Sequence, residues 1–464
     1  MLTVGFGLVV CAWAPAPDPD PSRARAVVED AATAVESPEP TEPDPPLEPE
    51  PVDAEPVDTK PVDTKPVVVD ATPAAAAPVV VATESKPKYE LSGAPGKGLT
   101  VSFGDAFALN IKSRIQLRYQ LNIPAADDAG TRNLRQAINI GTARLWFSGH
   151  ILSPKVTYMI QLAVAGRDYR DGATSPVFDA YIDWAAHRDF GIRAGQFFVP
   201  FDRLRTVREF ALQMADRPRP VGELTLDRDA GVMIYSDNFL GDKSPVAYRI
   251  GAFGGGGTNV VVGKKPGALM VSRLELRPLG KIDDDQEGDL ERRKKPALAL
   301  GGAFAANLNT DRLRSTTGAT FVGGTTHYYH GAADVVFKWR GWAVQGEYLR
   351  KWASVNAINS VDDDGMDVTE YTRSGQGWVA QTSYVFAPPI ELVARLSGMY
   401  ALGSTDPAFV SDLEARGQEV AGGLNYYFNG HRMKLQTDWI ALMPREFAFK
   451  KAEHIVHLQL DVTF

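Results

Sequence analysis

Basic side chains recur at alternate positions in the segment 109–121 (LNIKSRIQLRYQL). Lys112, Arg114 and Arg118 share one face of an extended chain, while apolar residues such as Leu117 share the other. Strict alternation of this kind predicts a β-strand with one wet face and one apolar face. Guanidinium donors fit the oxygen atoms of phosphate and carboxylate groups. The wet face of this strand would therefore attract anions.

Other predicted strands place basic residues on their wet faces in the same way, and the connecting segment 200–229 adds a second group. That segment carries six arginines and also six acidic residues, so pairing among its own charges is the alternative to anion binding. Acidic residues also share the wet faces of the strands, and the predicted wall is mixed with a basic tilt. The candidate anion-binding residues are Lys112, Arg114, Arg118, Arg144, Arg193, Arg203, Arg205, Arg208, Arg217, Arg219, Arg249, Arg273 and Arg395.

Residue patterns for other chemistry are weak. The single cysteine, Cys11, excludes an internal disulfide framework and a cysteine-based zinc site. The seven histidines show no setting of a nucleophile beside an activated base. The glycine-rich stretch 251–265 lacks the spacing of a phosphate-binding loop. We expect no catalysis, no cofactor and no metal site.

Sixteen segments with a period of two must position the basic residues. Several exceed the usual strand of about 5–6 residues and match the roughly 9–11 residues that a membrane strand needs. The even count and the alternation of long and short links are typical of bacterial outer-membrane barrels. The predicted strands are 109–121, 143–151, 155–165, 177–185, 190–199, 230–237, 246–254, 268–278, 297–307, 328–340, 341–352, 377–387, 389–402, 418–429, 431–443 and 454–464.

These patterns predict an all-β fold, a transmembrane antiparallel up-and-down β-barrel of about 16 strands, with a disordered Pro-rich N-terminal segment. The last strand ends on Phe464, as the assembly signal of outer-membrane barrels does. Tryptophan and tyrosine side chains, including Trp146, are assigned to the lipid interface. One short-side link, 279–296, is long and highly charged, and is interpreted as a disordered excursion or a slip in the strand register.

The N-terminal region differs sharply in composition from the rest of the chain. Residues 1–14 resemble a signal peptide. Residues 15–95 are Pro-rich and acidic, which predicts a disordered periplasmic linker. Residues 96–464 form the predicted barrel. The whole chain has a net charge of −8, but residues 1–95 carry −11 and the barrel region carries +3.

Several segments resemble the family of phosphate-selective porins O and P. They are FDAYIDWAAHRDFGIRAGQFFVPFDR at the start of 178–220, DRDAGVMIYSD at 227–237, YRIGAFGG at 248–255 and GLNYYFNGHRMKLQTDW at 423–439. The resemblance covers roughly 99–464. It implies a sixteen-stranded barrel in the bacterial outer membrane, often trimeric, with a basic channel for phosphate or other anions.

The sequence thus predicts passive diffusion of small anions, with phosphate or polyphosphate as candidate solutes, through a constricted basic channel. Outer-membrane lipid, small anions and a homotrimer are the expected partners, with contact to the cell wall through the N-terminal segment and no nucleic acid. Two alternatives remain open. One is a general, weakly selective porin, and the other is a structural barrel tethered to the cell wall by its tail.

Overall fold

The computed structural model describes residues 89–126, 130–169, 175–260, 263, 265–282, 286–362, 364–386 and 389–464. The predicted signal peptide at 1–14 and residues 15–88 of the predicted linker lie outside them. Among the described residues, no helix is long and apolar enough to cross a membrane.

The described residues form twenty strands, and sixteen of them, β3–β13 and β16–β20, form the barrel wall. Each of the sixteen strands predicted from the sequence overlaps one of these wall strands. The strands are β1 (Glu90–Ala94), β2 (Gly98–Phe103), β3 (Phe107–Ile123), β4 (Arg135–Ile151), β5 (Ser153–Ala163), β6 (Val177–His187), β7 (Phe190–Phe198), β8 (Arg228–Ser236), β9 (Val246–Phe253), β10 (Ala268–Leu276), β11 (Ala297–Thr310), β12 (Thr326–Trp339), β13 (Trp342–Ala353), β14 (Ala357–Val361), β15 (Asp367–Tyr371), β16 (Gly375–Val385), β17 (Ile390–Ala401), β18 (Gln418–Tyr427), β19 (Met433–Met443) and β20 (Glu453–Thr463).

The barrel closes between its first and last wall strands. Strand β20 pairs antiparallel with β3, and the register places Asp461 opposite Gln116. At the end of the chain, the Phe464 N–H donates to the Ser113 carbonyl at 2.9 Å, and the Phe464 carbonyl accepts from the Ser113 N–H at 2.8 Å. A closed antiparallel barrel leaves no wall strand with an unpaired edge. The fold class predicted from the sequence is therefore confirmed.

Alternation sets the two faces of the wall. On β3, Arg114 and Arg118 are buried, whereas Ile115 and Leu117 are 42% and 47% exposed on the outside. The same pattern on β10 exposes Leu274 on the outer face. An apolar outer belt around a polar interior is what lipid on one side and water on the other require.

Short turns and long loops alternate along the barrel. The turn between β12 and β13 uses positive φ at both Arg340 (52°) and Gly341 (93°), as a tight two-residue hairpin requires. The β1–β2 hairpin lies at the same, periplasmic end and extends the sheet beside the start of β3, so β-structure begins ahead of residue 96. In the described part of the chain, three α-helices lie in the loops at the opposite end: α1 (Arg203–Thr206), α2 (Arg219–Leu224) and α3 (Pro407–Arg416).

The third loop, residues 199–227, folds into the barrel instead of extending outward. Its side chains Val221, Leu224 and Leu226 are fully buried in a cluster with inward-facing residues of the wall, such as Leu349 and Val379. Apolar burial of this kind contributes roughly 1.5–3 kcal/mol for each large side chain. The third loop is thus fixed by apolar packing against one side of the lumen.

The periplasmic link, residues 277–296, also enters the barrel and meets the third loop. The Glu287 N–H donates to the Ala211 carbonyl at 3.3 Å, and the Glu287 carboxylate accepts from the Gln213 N–H at 2.8 Å. Strands β10 and β11 pair in continuous register on either side of the link. The expectation of a disordered excursion or a register slip at 279–296 is therefore wrong for the described part of this segment. Its buried carboxylates Glu287 and Asp289 accept from the backbone N–H groups of Gln213 and Gly341, contacts that composition alone does not reveal.

Candidate functional site

Guanidinium groups converge where the third loop approaches the inner face of β3–β8. They surround a narrow space of about 30 Å³, which we call the arginine slot. Arginine dominates the charged lining, and Glu209 is the one acidic residue among the lining residues. The slot is lined by Arg114, Arg144, Trp146, Gln161, Phe178, Phe198, Arg205, Arg208, Glu209, Phe210, Arg217 and Arg228.

Two kinds of element position these side chains. Strand alternation turns Arg114 on β3 and Arg144 on β4 inward. A register shift between β5 and β6 pairs Gln161 with Asp179 and Leu162 with Val177, leaving Phe178 between them as a bulge. Bulges re-aim side chains, and this one explains why Phe178 and its neighbour Asp179 both lie on the lumen side.

The third loop supplies the opposite wall of the slot. Helix α1 is capped by Asp202, whose side chain accepts from the Arg205 N–H at 2.6 Å. A 3₁₀ turn at Glu209–Ala211 follows. These two turns place Arg205, Arg208 and Phe210 on the same side of the loop, toward the slot.

The carboxylates that neutralise the slot arginines lie mostly behind them. Arg114 Nε donates to Asp461 at 2.6 Å, and Arg228 Nε donates to Asp179 at 2.8 Å. Asp461 is fully buried and Asp179 is 2% exposed. Neither carboxylate lines the slot. Asp461 lines none of the cavities around Arg114, whereas Asp179 lines the neighbouring cavity along β6–β10. The slot therefore holds the guanidinium groups of these pairs without their carboxylates.

Arg208 and Arg217 lack an acidic partner within salt-bridge distance among the described residues. Arg208 donates to the Gln161 side chain at 3.3 Å. Arg217 donates to the backbone carbonyls of Leu204 at 3.1 Å and Val207 at 2.5 Å. Burial and the nearby Arg205 lower the pKa of Arg217 to about 10, so it stays charged at neutral pH. These two groups give the slot its uncompensated positive charge.

Glu209 offsets part of that charge. Its carboxylate accepts from the Thr142 hydroxyl at 3.1 Å and lies 3.5 Å from Arg144. Burial raises the pKa of Glu209, but Arg144 and Arg217 outweigh burial and hold the pKa well below its usual range. The group is ionised at every physiological pH.

Two wider cavities lie on the periplasmic side of the slot and share Arg208 and Phe210 with it. One has a volume of about 650 Å³ and reaches the periplasmic turns at Lys97 and Gly430. The other has a volume of about 420 Å³ and lies along β6–β10. Arg208 and Phe210 therefore stand where the three spaces meet.

The structure divides the residues predicted from the sequence among several places. Arg114, Arg144, Arg205, Arg208 and Arg217 meet in the slot. Lys112 lines the 650 Å³ cavity.

The other predicted residues lie outside the slot. Arg118 and Arg395 bind the third loop through Asp216, and Arg219 pairs with Asp412 in a cavity near the loop end. The remaining four line the 420 Å³ cavity: Arg193, Arg203, Arg249 and Arg273.

Four aromatic residues of the slot were not predicted as site residues. The lipid-interface assignment of Trp146 is wrong, because the side chain is 7% exposed and lines the slot. Trp146 follows Arg144 by two positions on β4, so alternation gives both the same face. The spacing of two residues from Arg144 was therefore the sequence signal that Trp146 faces the lumen. The positions of the other three side chains have no periodic signal in the sequence. A bulge places Phe178, a strand end places Phe198 and a loop turn places Phe210.

The fold is similar to that of solved outer-membrane porins. The barrel is similar to Salmonella typhi OmpF in complex with daunomycin, at 12% sequence identity and a TM-score of 0.50, covering 78% of this chain and 99% of that one. The chain has the fold of an outer-membrane porin. With its closed sixteen-stranded wall and apolar outer belt, it is a multi-pass β-barrel of the bacterial outer membrane.

Other porin-fold structures are similar over the same length. DcaP, an outer membrane channel of Acinetobacter baumannii, is 14% identical with a TM-score of 0.46, covering 77% of this chain and 98% of its own. An anion-selective porin from Comamonas acidovorans is 12% identical with a TM-score of 0.47, covering 77% and 100%. No protein-family model matches the chain, and no curated protein sequence does.

Proposed function

We propose that this porin-fold barrel lets small anions diffuse passively across the outer membrane, with the arginine slot as its selective constriction. The observation that carries the proposal is the orientation of the charges. Arg208 and Arg217 face the slot without an acidic partner among the described residues, and the carboxylates paired with Arg114 and Arg228 through their Nε atoms lie outside the slot lining. Phosphate and polyphosphate are the narrower candidates that the family resemblance implies.

The physical basis is electrostatic. Arginine stays protonated at all relevant pH values, and a low-dielectric wall focuses the field of fixed charges into a narrow passage. Conduction also requires that the solute leave as readily as it binds. A slot with two uncompensated guanidinium groups and one carboxylate, Glu209, attracts anions without holding them tightly.

The pairing of most charges favours a second candidate, a general porin of weak selectivity. Arg205 pairs with Asp227, and Arg144 pairs with Asp168. If these pairs cancel the field in the passage, anions and cations would cross at similar rates.

The homotrimer stays a prediction, to be tested by mass measurement of the detergent-solubilised protein. The contact of the N-terminal segment with the cell wall also stays a prediction, to be tested by deletion of residues 15–88.

The decisive experiment is the reversal potential of the reconstituted full chain in a potassium chloride gradient. We expect chloride to be preferred over potassium, and preference for potassium would overturn the proposal. Replacing Arg208 by Gln should lower the chloride preference about threefold, because one lumen charge is removed at an effective dielectric constant close to that of water. Arg445→Gln, an exposed arginine on the last loop, is the matched control and should leave the preference unchanged.

A further inference from the structure

We infer that the arginine slot holds a binding site for one weakly hydrated monovalent anion, such as chloride or nitrate, and disfavours phosphate. This inference rests on the proposed function and names the class of solute that the constriction selects. It follows from four properties of the slot: its unpartnered donors, its apolar walls, its occupied guanidinium forks and its volume.

Three N–H donors of the slot have no hydrogen-bond partner among the described residues. They are Arg144 Nε, Trp146 Nε1 and Arg205 Nε. Arg144 is 3% exposed and Trp146 is 7% exposed. Buried donors are nearly always satisfied in native proteins. These donors belong to residues that line the slot, and an acceptor that enters between the side chains would satisfy them. Their electropositive surroundings favour an acceptor that carries negative charge.

The remaining walls of the slot are aromatic. The Arg228 guanidinium lies between the rings of Phe178 and Phe198, 3.6 Å from each centroid. The Arg114 guanidinium lies 5.3 Å from the centroid of Phe210. Aromatic walls offer no donors to replace the water that an anion loses on entering. The cost of that loss rises steeply with the charge of the ion, so a dianion is penalised more than a monoanion.

Most of the guanidinium forks that would recognise phosphate are already occupied, and Arg208, which donates only to Gln161, is the exception. Both Nε and Nη2 of Arg114 bind Asp461. All three nitrogens of Arg228 donate to Asp179 or Asp227. Strong recognition of phosphate uses bidentate pairing with a complete fork. The slot offers mainly single N–H groups, which suit a small ion with low demand for donors.

The volume of the slot also favours a small monovalent anion over phosphate. About 30 Å³ gives room for roughly two water-sized particles, since one needs about 10–15 Å³ on this measure. A chloride ion or the edge of a planar nitrate fits such a space after losing part of its water. Phosphate with its hydration shell does not fit unless the third loop moves.

The test compares anions on the full chain in planar bilayers. Reversal potentials with chloride on one side and nitrate or phosphate on the other, at mildly alkaline pH where phosphate is mainly a dianion, give the permeability ratios. We expect nitrate to match or exceed chloride and phosphate to fall below chloride by about tenfold or more, a difference of about 1.4 kcal/mol. Phosphate permeability equal to that of chloride, or block of the chloride current by phosphate, would overturn the inference.

Two variants locate the site. Trp146→Phe removes one N–H and keeps a ring, so the chloride current should saturate at a higher chloride concentration. Trp342→Phe, on the lipid face at 48% exposure, is the control and should not shift saturation. Phe210→Ala should raise phosphate permeability relative to chloride, whereas Phe304→Ala on the outer face should not. If neither slot variant has an effect, the site is not in the slot.

The outcomes separate the two proposals. A preference for potassium over chloride removes the proposed function and the inference together. A preference for chloride over potassium with equal passage of phosphate removes only the inference about the solute.

Discussion

The two sides of the lumen use the same residue types for different purposes. On the packed side, along β10–β13 and β16–β19, arginines and carboxylates are buried against each other beneath the third loop. Arg203 Nε donates to Asp334 at 2.8 Å there, and Glu347 accepts from the N–H groups of Arg203 and Leu204 at 3.2 and 3.1 Å. On the arginine side, along β3–β8, guanidinium groups border an open space. The lesson is that the net charge of a barrel says little about its selectivity, because charges paired within the wall largely cancel each other's field in the lumen.

The packed side depends first on apolar contact, and Leu224→Asp should disrupt it most. Leu224 is fully buried in the cluster beneath the third loop. Placing a carboxyl group there should lower the free energy of unfolding by about 4 kcal/mol, and the loosened loop should raise the single-channel conductance. Heat-dependent gel mobility and planar-bilayer recordings measure the two effects. Leu279→Asp, at a position that is 51% exposed, is the control. Unchanged values for Leu224→Asp would show that apolar packing does not hold the loop.

A buried pair on the packed side should matter for stability and not for selectivity. Arg395 Nε donates to Glu419 at 2.5 Å, and the two side chains are 2% and 3% exposed. Arg395→Gln leaves Glu419 buried without its partner, which should cost about 3 kcal/mol of unfolding free energy. Because Arg395 lines neither the slot nor the two wider cavities, the ratio of chloride to potassium permeability should stay within about twofold of wild type. A large change in that ratio would remove the distinction between the two sides.

The fold was predictable because strand alternation is a local signal. Arg114 and Ile115 reveal their faces from their immediate neighbours, and the same period of two gave all sixteen wall strands. The pairing of Arg114 with Asp461 was not predictable, since the partners are 347 residues apart in sequence and meet only when the barrel closes. Alternation shows which side chains face inward, but it does not show which of them neutralise each other.

The inward loops were the least predictable part of the site. The segment 200–229 has six arginines and six acidic residues, and no periodicity shows that Arg208 faces the slot while Arg219 pairs with Asp412. The periplasmic link has a composition typical of a disordered segment. Its carboxylate at Glu287 nevertheless accepts from a buried backbone N–H of the third loop. Such contacts depend on the tertiary fold and override local composition.

The arginine side should respond to the removal of its one lining carboxylate. Glu209→Gln removes a negative charge from the slot and leaves the backing carboxylates in place. The chloride preference should rise about threefold, because a single charge a few ångströms from the path is worth less than about 1 kcal/mol in aqueous surroundings. Reversal potentials measure the change, and Glu446→Gln on the last loop, an exposed position, is the control. A fall in chloride preference would mean that Glu209 acts by positioning Arg144 rather than by its own charge.

The smallest effect is expected at Asp216, where the third loop meets the wall and the two sides join. Its carboxylate accepts from Arg118 at 2.7 Å and lies 3.5 Å from His457, and 42% of its side-chain surface faces the lumen. Its position deep in the barrel raises the pKa of Asp216, but Arg118 and His457 outweigh this and lower it from 3.8 to about 2. A lowered folded-state pKa means that the stabilisation is fully present above the ordinary pKa. It is lost as the pH falls from about 4 to about 2.

Comparison of wild type with Asp216→Asn tests this directly. The variant should be less stable at neutral pH by about 0.5 kcal/mol, because a partly exposed ion pair is screened by solvent. The gap should close as the pH falls from about 4 to about 2, since the unfolded wild-type chain binds a proton at this carboxylate before the folded chain does. Thermal unfolding in detergent at a series of pH values measures the gap. A gap that is the same at low and neutral pH would show that Asp216 holds the third loop through its shape and hydrogen bonds rather than through its charge.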